Sequence, residues 1–151
     1  MDKKVLDRMQ ALCSRSEQCS RDVYRKALKA LDGDEDGACE ILASLVADGY
    51  VDDARYAAAY ARDKAQIDGW GPIKIRFQLR AKGLDDASIT SGLAEIDDAA
   101  AAARLVKMLE VKRKSLEGDP QIRLKLLKYA LGRGYSYDAV ADAVESVLNN
   151  G

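Results

Sequence analysis

The apolar residues of this chain recur at three- to four-residue spacing, which places them on one face of an α-helix. Such stripes occur at Val5, Met9 and Leu12; at Ile41, Leu42, Leu45 and Val46; at Leu105, Met108, Leu109 and Leu116; and at Val140, Val144, Val147 and Leu148. No stretch shows the strict apolar–polar alternation of a half-buried strand. Alanine and leucine, 41 residues together, outnumber the 17 residues of valine, isoleucine and threonine. The sequence therefore predicts an all-α fold.

Glycine and proline mark the predicted helix ends. A glycine followed by an apolar residue is typical of a left-handed helix terminus and occurs at Gly49-Tyr50, Gly83-Leu84 and Gly134-Tyr135. Asp52, Asp85 and Ser136 are the predicted N-caps of the helices that follow. Pro72 and Pro120 are predicted to begin helices, with Asp119 as a cap of the second. These signals indicate about nine helices joined by short loops.

A shift of 51 residues superimposes the middle of the chain on its last third. It brings Lys82-Gly83-Leu84 onto Arg133-Gly134-Tyr135, and Ile75 and Leu79 onto Leu126 and Ala130. The first 50 residues follow the same plan more loosely. Any helical chain rich in alanine and leucine aligns with itself to some degree, but here the glycine, proline and apolar positions agree together. We predict three tandem three-helix repeats, residues 1–51, 52–97 and 98–151, forming an elongated, curved array.

The formal net charge of −1 conceals alternating blocks of charge. Residues 2–30, 62–84 and 99–133 carry +4, +4 and +6, whereas residues 31–53, 85–98 and 134–151 carry −8, −5 and −3. Each predicted repeat thus has a basic part followed by an acidic third helix. The basic helices suit DNA phosphates or an acidic protein surface; alternatively, they pair with the acidic helices of the same chain.

Two helices carry most of the candidate binding residues. In the middle repeat, Arg76 and Arg80 are one turn apart, with Lys74 close by, and Ile73, Ile75, Phe77 and Leu79 supply the apolar side. Like charges one turn apart destabilise an isolated helix, so the arginine pair either meets acidic residues or serves a partner. The corresponding residues of the third repeat are Arg123, Lys125, Lys128 and Arg133.

Catalytic, metal and cofactor chemistry is not expected. The chain has no histidine, which excludes Ser-His and Cys-His nucleophile pairs and histidine metal sites. Asp52-Asp53 and Asp85-Asp86 are explained by helix capping. Cys13, Cys19 and Cys39 are expected to be reduced thiols of a cytoplasmic protein, because residues 1–10 lack the apolar segment of a secretory signal. Trp70 is expected to pack on the following helical turn; base stacking is the alternative.

Two motifs of the chain resemble those of the RecX family, a family of bacterial regulators of the RecA recombinase. The first is Gly49-Tyr50-Val51-Asp52-Asp53-Ala54-Arg55-Tyr56-Ala57. The second is Asp68-Gly69-Trp70-Gly71, followed by Ile73-Lys74-Ile75-Arg76-Phe77-Gln78-Leu79-Arg80-Ala81-Lys82-Gly83. The resemblance extends from about Arg15 to Asp138.

The resemblance implies a non-enzymatic protein of tandem three-helix repeats that lies in the groove of the RecA–DNA filament. There it would oppose filament extension and depress ATP hydrolysis and strand exchange. It makes Lys74, Arg76, Arg80 and Lys82 the first choice for contact residues. The motif residues expected to be structural are Gly49, Asp53, Trp70, Gly71, Ile75, Leu79, Gly83 and Gly134. The first repeat departs from the pattern, because an acidic loop at residues 31–35 replaces the basic residue and glycine that end the middle helix.

Two functional hypotheses remain open at this point. The chain is either a monomeric regulator that binds RecA filaments, and the DNA backbone within them, or a nonspecific single-stranded DNA-binding protein that competes with RecA. Binding to bare DNA that falls steeply with salt would distinguish the second hypothesis from the first.

Overall fold

A computed structural model describes Met1–Asn150. Within this range the chain forms nine α-helices and no strand, which confirms the all-α prediction. The helices are α1 Lys3–Arg15, α2 Ser20–Ala30, α3 Glu35–Ala47, α4 Asp53–Gln66, α5 Pro72–Ala81, α6 Asp86–Leu93, α7 Asp98–Ser115, α8 Ile122–Gly132 and α9 Tyr137–Asn149. None of these helices is both long and apolar enough to cross a membrane.

Most of the helices bury two residues that lie one turn apart. The pairs are Val5 and Met9, Val23 and Ala27, Ile41 and Leu45, Ala57 and Ala61, Ile75 and Leu79, Leu105 and Leu109, Leu126 and Ala130, and Val140 and Val144. In α6 the buried residues are Ile89 and Gly92. Eight of the nine described helices thus share one burial pattern, which agrees with a three-helix unit that repeats along the chain.

The described helices pack into two compact units. The first contains residues 1–59 and 79–92, and the second contains residues 60–78 and 93–150. Ile41 and Leu45 lie in the core formed by α1, α2 and α3, whereas Leu109, Leu126 and Val144 lie in the core formed by α7, α8 and α9. Residues of α4 and α5 are shared between the units, and the repeat boundaries after residues 51 and 97 stay a prediction.

The predicted helix ends are confirmed at the glycine turns and at three N-caps. Gly49, Gly83 and Gly134 have φ angles of 79°, 87° and 96°, in the left-handed region that favours glycine. Each predicted cap accepts a backbone N–H three residues ahead: Arg55 donates to Asp52 at 3.1 Å, Ser88 to Asp85 at 2.7 Å, and Ala139 to Ser136 at 3.3 Å.

The start of α8 differs from the prediction. Helix α5 does begin at Pro72, but α8 begins at Ile122, two residues after Pro120. The Asp119 carboxylate accepts the N–H of Gln121 at 2.8 Å and pairs with the Lys125 ammonium at 2.5 Å. These contacts, the lysine first, lower the pKa of Asp119 and hold Pro120 in a turn ahead of the helix.

In the second unit, the start of α5 lies directly against the turn that ends α8. The Gly71 N–H donates to the Arg133 carbonyl at 2.7 Å, and the Ile73 N–H donates to the Gly134 carbonyl at 2.9 Å. A Cβ on Gly71 would lie 2.5 Å from the carbonyl carbon of Gly134, and a Cβ on Gly134 would lie 2.3 Å from the Lys74 Cβ. The two segments approach this closely only because both positions are glycine.

A similar junction occurs in the first unit, where the start of α2 lies against the turn that ends α5. The Arg21 guanidinium donates to the Ala81 carbonyl at 3.0 Å, and a Cβ on Gly83 would lie 2.8 Å from the Arg21 Cδ. The Ser20 N–H donates to the Asp53 carboxylate at 2.8 Å, and the Ser20 hydroxyl donates to the same carboxylate. Helices α2, α5 and α8 are the middle helices of the three predicted repeats. In each unit, therefore, one middle helix (α2 or α5) begins against the turn that ends the next middle helix (α5 or α8).

Substitution of Gly71 tests the junction of the second unit. Gly71→Ala is expected to lower the free energy of unfolding by about 1–3 kcal/mol, because its methyl group would overlap the Gly134 backbone. Gly132→Ala is the matched control: no atom lies within 4 Å of a Cβ there, so it is expected to raise stability by about 0.5 kcal/mol. Urea denaturation followed by circular dichroism measures both effects, and equal midpoints for the two variants would contradict the junction.

Candidate partner-binding surface

The apolar residues of α5 lie on two different faces of the helix. Ile75 and Leu79 are fully buried, whereas Ile73 is 56% exposed and Phe77 is 68% exposed. The two pairs are displaced by two positions, which is about 200° around a helix of 3.6 residues per turn. The prediction that all four residues form one apolar side is therefore wrong: one pair packs in the interior, and the other faces outward.

Basic residues flank the outward pair of α5. By helical geometry Arg76 and Arg80 lie to one side of Phe77, and Lys74 lies to the other. Arg80 is exposed and pairs with Asp86 at 3.0 Å. Arg76, and Lys82 beyond the helix end, are half-buried and interact with other residues of the chain. The outward face of α5 thus combines apolar and cationic side chains.

Trp70 packs on the first turn of α5, as predicted, but against a cation. The Lys74 ammonium lies 4.6 Å from the centroid of the indole ring, and the Lys64 ammonium lies 4.8 Å from it. Tyr60 meets the ring edge-on at 6.4 Å between centroids. Both lysines are held by cation–π contacts that are worth about 0.5–2 kcal/mol each, so Lys74 is restrained before any partner binds.

The basic residues of the third repeat divide into exposed and structural ones. Arg123 pairs with Glu145, Lys125 pairs with Asp119, and Lys128 is exposed on α8. Arg133 differs, because it is half-buried and its guanidinium donates to the Asp68 carbonyl at 2.9 Å and to the Tyr129 hydroxyl at 3.2 Å. Arg133 thus binds a carbonyl beyond the end of α4 and stabilises the second unit.

The first motif of the sequence folds around Arg55. Its Nε donates to both carboxylate oxygens of Glu17, at 2.8 and 2.9 Å, and its Nη2 donates to the carbonyls of Gly49 and Tyr50, at 2.9 and 3.3 Å. The hydrogen bond to Glu17 raises the pKa of Arg55. The motif is therefore structural: Arg55 ties the turn after α3 to the segment between α1 and α2. Within residues 1–150 no three acidic or cysteine side chains are placed to hold a metal ion.

Comparison with known proteins places these motifs in a family. Residues 52–93, which contain α4, α5 and α6, match a family model described as RecX, second three-helix domain. The chain is 31% identical over 110 residues to the regulatory protein RecX of Bacillus mycoides, an alignment that covers 72% of this chain and 41% of that protein. The chain belongs to the RecX family. Its relatives carry the name regulatory protein, so the family is one of regulators.

A second relative supports the assignment, and a solved structure shows the same fold. The chain is 30% identical over 122 residues to the regulatory protein RecX of Mycolicibacterium smegmatis, covering 77% of this chain and 65% of that protein. The crystal structure of RecX from Lactobacillus salivarius has the same fold, with a TM-score of 0.84 over 96% of this chain and 95% of that one at 24% identity. The chain spans less than two thirds of the length of each of these two curated relatives.

Two structural arginines have partners that the local sequence does not indicate. Arg55 stood within the first motif, but nothing in the sequence indicated its partner Glu17, which lies 38 residues away. Arg21 binds the Ala81 carbonyl in the junction of the first unit, although the two residues are 60 positions apart in the sequence. Both pairings depend on tertiary structure, which the local pattern does not encode.

Arg133 and Lys128 provide a test of the division between structural and exposed cations. Arg133→Ala is expected to lower the free energy of unfolding by about 1–3 kcal/mol, because it leaves the Asp68 carbonyl and the Tyr129 hydroxyl without their donor. Lys128→Ala, on the exposed face of α8, is expected to change it by less than about 0.5 kcal/mol. Thermal unfolding measures both variants. Equal stability of the two would show that Arg133 is not structural.

Proposed function

We propose that this chain is a cytoplasmic regulator that binds the RecA recombinase filament and inhibits its ATPase, its extension and strand exchange, and thereby modulates recombination and DNA repair. Membership of the RecX family supports the regulatory role. The observation that carries the proposal is the outward face of α5, which lies inside the segment matched by the family model. That face combines Ile73 and Phe77 with flanking basic residues.

The composition of this face suits a protein partner. Aromatic and arginine side chains dominate the energetics of protein interfaces, and burial of an exposed aliphatic or aromatic side chain stabilises a complex by about 1.5–3 kcal/mol. Phe77 is the one phenylalanine of the chain, and it is 68% exposed. Contact with water does not stabilise a large apolar side chain in that position, whereas its burial against a partner would stabilise the complex.

The ion pair of Arg80 does not prevent it from binding a partner. Both Arg80 and Asp86 are more than half exposed, and a pair of this kind contributes about 0–1 kcal/mol. A carboxylate of the recombinase, or a DNA phosphate in the filament, can replace Asp86 at little cost. The four basic residues assigned to the contact are Lys74, Arg76, Arg80 and Lys82.

The alternative, a nonspecific single-stranded DNA-binding protein, is supported by the exposed basic residues of α8. Acidic residues of the same unit already neutralise two of them, since Arg123 pairs with Glu145 and Lys125 with Asp119. With a formal net charge of −1, the chain also lacks the long-range attraction that nonspecific DNA binding requires. We therefore favour the filament as the partner.

Charge reversal on α5 tests the proposed function. Arg76→Glu with Arg80→Glu is expected to weaken inhibition of RecA ATPase by at least about tenfold, because four units of charge change at the proposed contact. The matched control is Arg25→Glu with Lys29→Glu on α2, which makes the same charge change at two exposed positions one turn apart. The control is expected to keep inhibition within about twofold. Circular dichroism checks that helical content is retained.

The same ATPase titration at two salt concentrations separates the two hypotheses. A filament regulator is expected to inhibit below one molecule per RecA protomer and to bind bare single-stranded DNA weakly at physiological salt. Tight binding to bare DNA that falls steeply with the logarithm of salt would instead support the alternative. Equal loss of inhibition in the α5 and α2 double variants would reject the α5 assignment.

A further inference from the structure

Helix α7 presents a second stripe of residues beside the stripe that it buries in the core, and Met108 of this second stripe also packs partly against the core. Arg104, Lys107, Met108 and Val111 recur at positions i, i+3, i+4 and i+7, which lie on one face of a helix. The core stripe of the same helix is distinct, because Leu105 and Leu109 are 2% and 0% exposed. The outer stripe lines a groove of about 320 Å³ within the second unit, together with the end of α4 and Tyr129.

The groove is rich in positive charge. Arg104, Lys107 and Arg133 line it, whereas the acidic residue that lines it, Asp68, is paired with Lys64 at 3.1 Å. The groove therefore offers excess positive charge to an anionic group.

The groove also has apolar surface, and this surface favours a peptide over a nucleic acid backbone as the ligand. Ile67 is 78% exposed and Val111 is 66% exposed, and Met108 also lines the groove. A DNA or RNA phosphate backbone would use the cations and leave these side chains in water. A peptide that carries both carboxylates and an aliphatic side chain would use both, and the unbranched methionine adapts readily to such a chain.

We propose that this groove binds an acidic peptide segment of a partner protein. A glutamate or aspartate carboxylate lies against the cationic side chains of Arg104 and Lys107. An aliphatic side chain of the same segment contacts Ile67 and Val111. The proposal concerns a surface other than the outward face of α5 and does not depend on the recombinase as partner, so its test needs no RecA.

Fluorescence anisotropy with the full chain at physiological salt tests the proposal. The probe is a fluorescein-labelled peptide of alternating glutamate and leucine, and two matched probes replace the leucine by serine or the glutamate by lysine. We expect the first probe to bind saturably and the other two to bind at least about tenfold more weakly, because each lacks one of the two features of the groove.

Three variants localise the binding. Lys107→Glu is expected to weaken binding of the first probe by about tenfold, and Ile67→Ser by about fivefold, because the first opposes the carboxylate and the second removes an apolar contact. Arg8→Glu, an equal charge change at an exposed position of α1, is expected to stay within about twofold. All three positions are exposed, so unchanged circular dichroism is expected for each variant.

Three results would overturn the proposal. The first is the absence of saturable binding to the first probe, and the second is equal weakening by Arg8→Glu and Lys107→Glu. The third is displacement of the probe by a single-stranded oligonucleotide whose own affinity falls in the Lys107→Glu variant, since nucleic acid would then be the occupant of the groove.

Discussion

The contact between the start of one middle helix and the turn that ends the next middle helix is the constraint on which each unit depends. A helix leaves its first N–H groups and its last carbonyl groups without partners in the helix. At Gly71 and Ile73 the N–H groups that precede or begin α5 donate to the carbonyls of Arg133 and Gly134 just after α8. One contact therefore satisfies both helix ends, and only glycine permits it at Gly71 and Gly134.

In the first unit, side chains provide the hydrogen-bond partners of the helix ends. Cys19, the residue ahead of α2, provides no side-chain cap, and the Asp53 carboxylate from α4 accepts the Ser20 N–H instead. Arg21 supplies the donor for the Ala81 carbonyl at the end of α5. The helix ends of one repeat are thus satisfied by another, which explains why motif residues such as Asp53 and Gly71 are polar or small and not apolar.

The helices and their ends were predictable because their causes are local. Apolar spacing, the glycine turns at Gly49, Gly83 and Gly134, and the caps Asp52, Asp85 and Ser136 depend on residues within one or two turns, and the structure confirms them. The start of α8 was not predictable from Pro120, because the ion pair of Asp119 with Lys125 favours a turn there. The roles of the basic residues were likewise not predictable from the local sequence. Arg133 and Lys128 look equivalent in the sequence, and only the tertiary structure shows that Arg133 binds the Asp68 carbonyl.

The two faces of α5 connect this architecture to the proposed regulation. The contact of Gly71 with the α8 turn fixes where α5 begins, and the burial of Ile75 and Leu79 fixes its rotation about its own axis. Ile73 and Phe77 must then face outward, because they lie about 200° from the buried pair. A face positioned by backbone hydrogen bonds loses little conformational entropy when it binds, which favours affinity without a large net charge. A nearly neutral chain can therefore select a protein filament over bare DNA by apolar contacts on a fixed helix, with its basic residues setting orientation and specificity more than raw attraction.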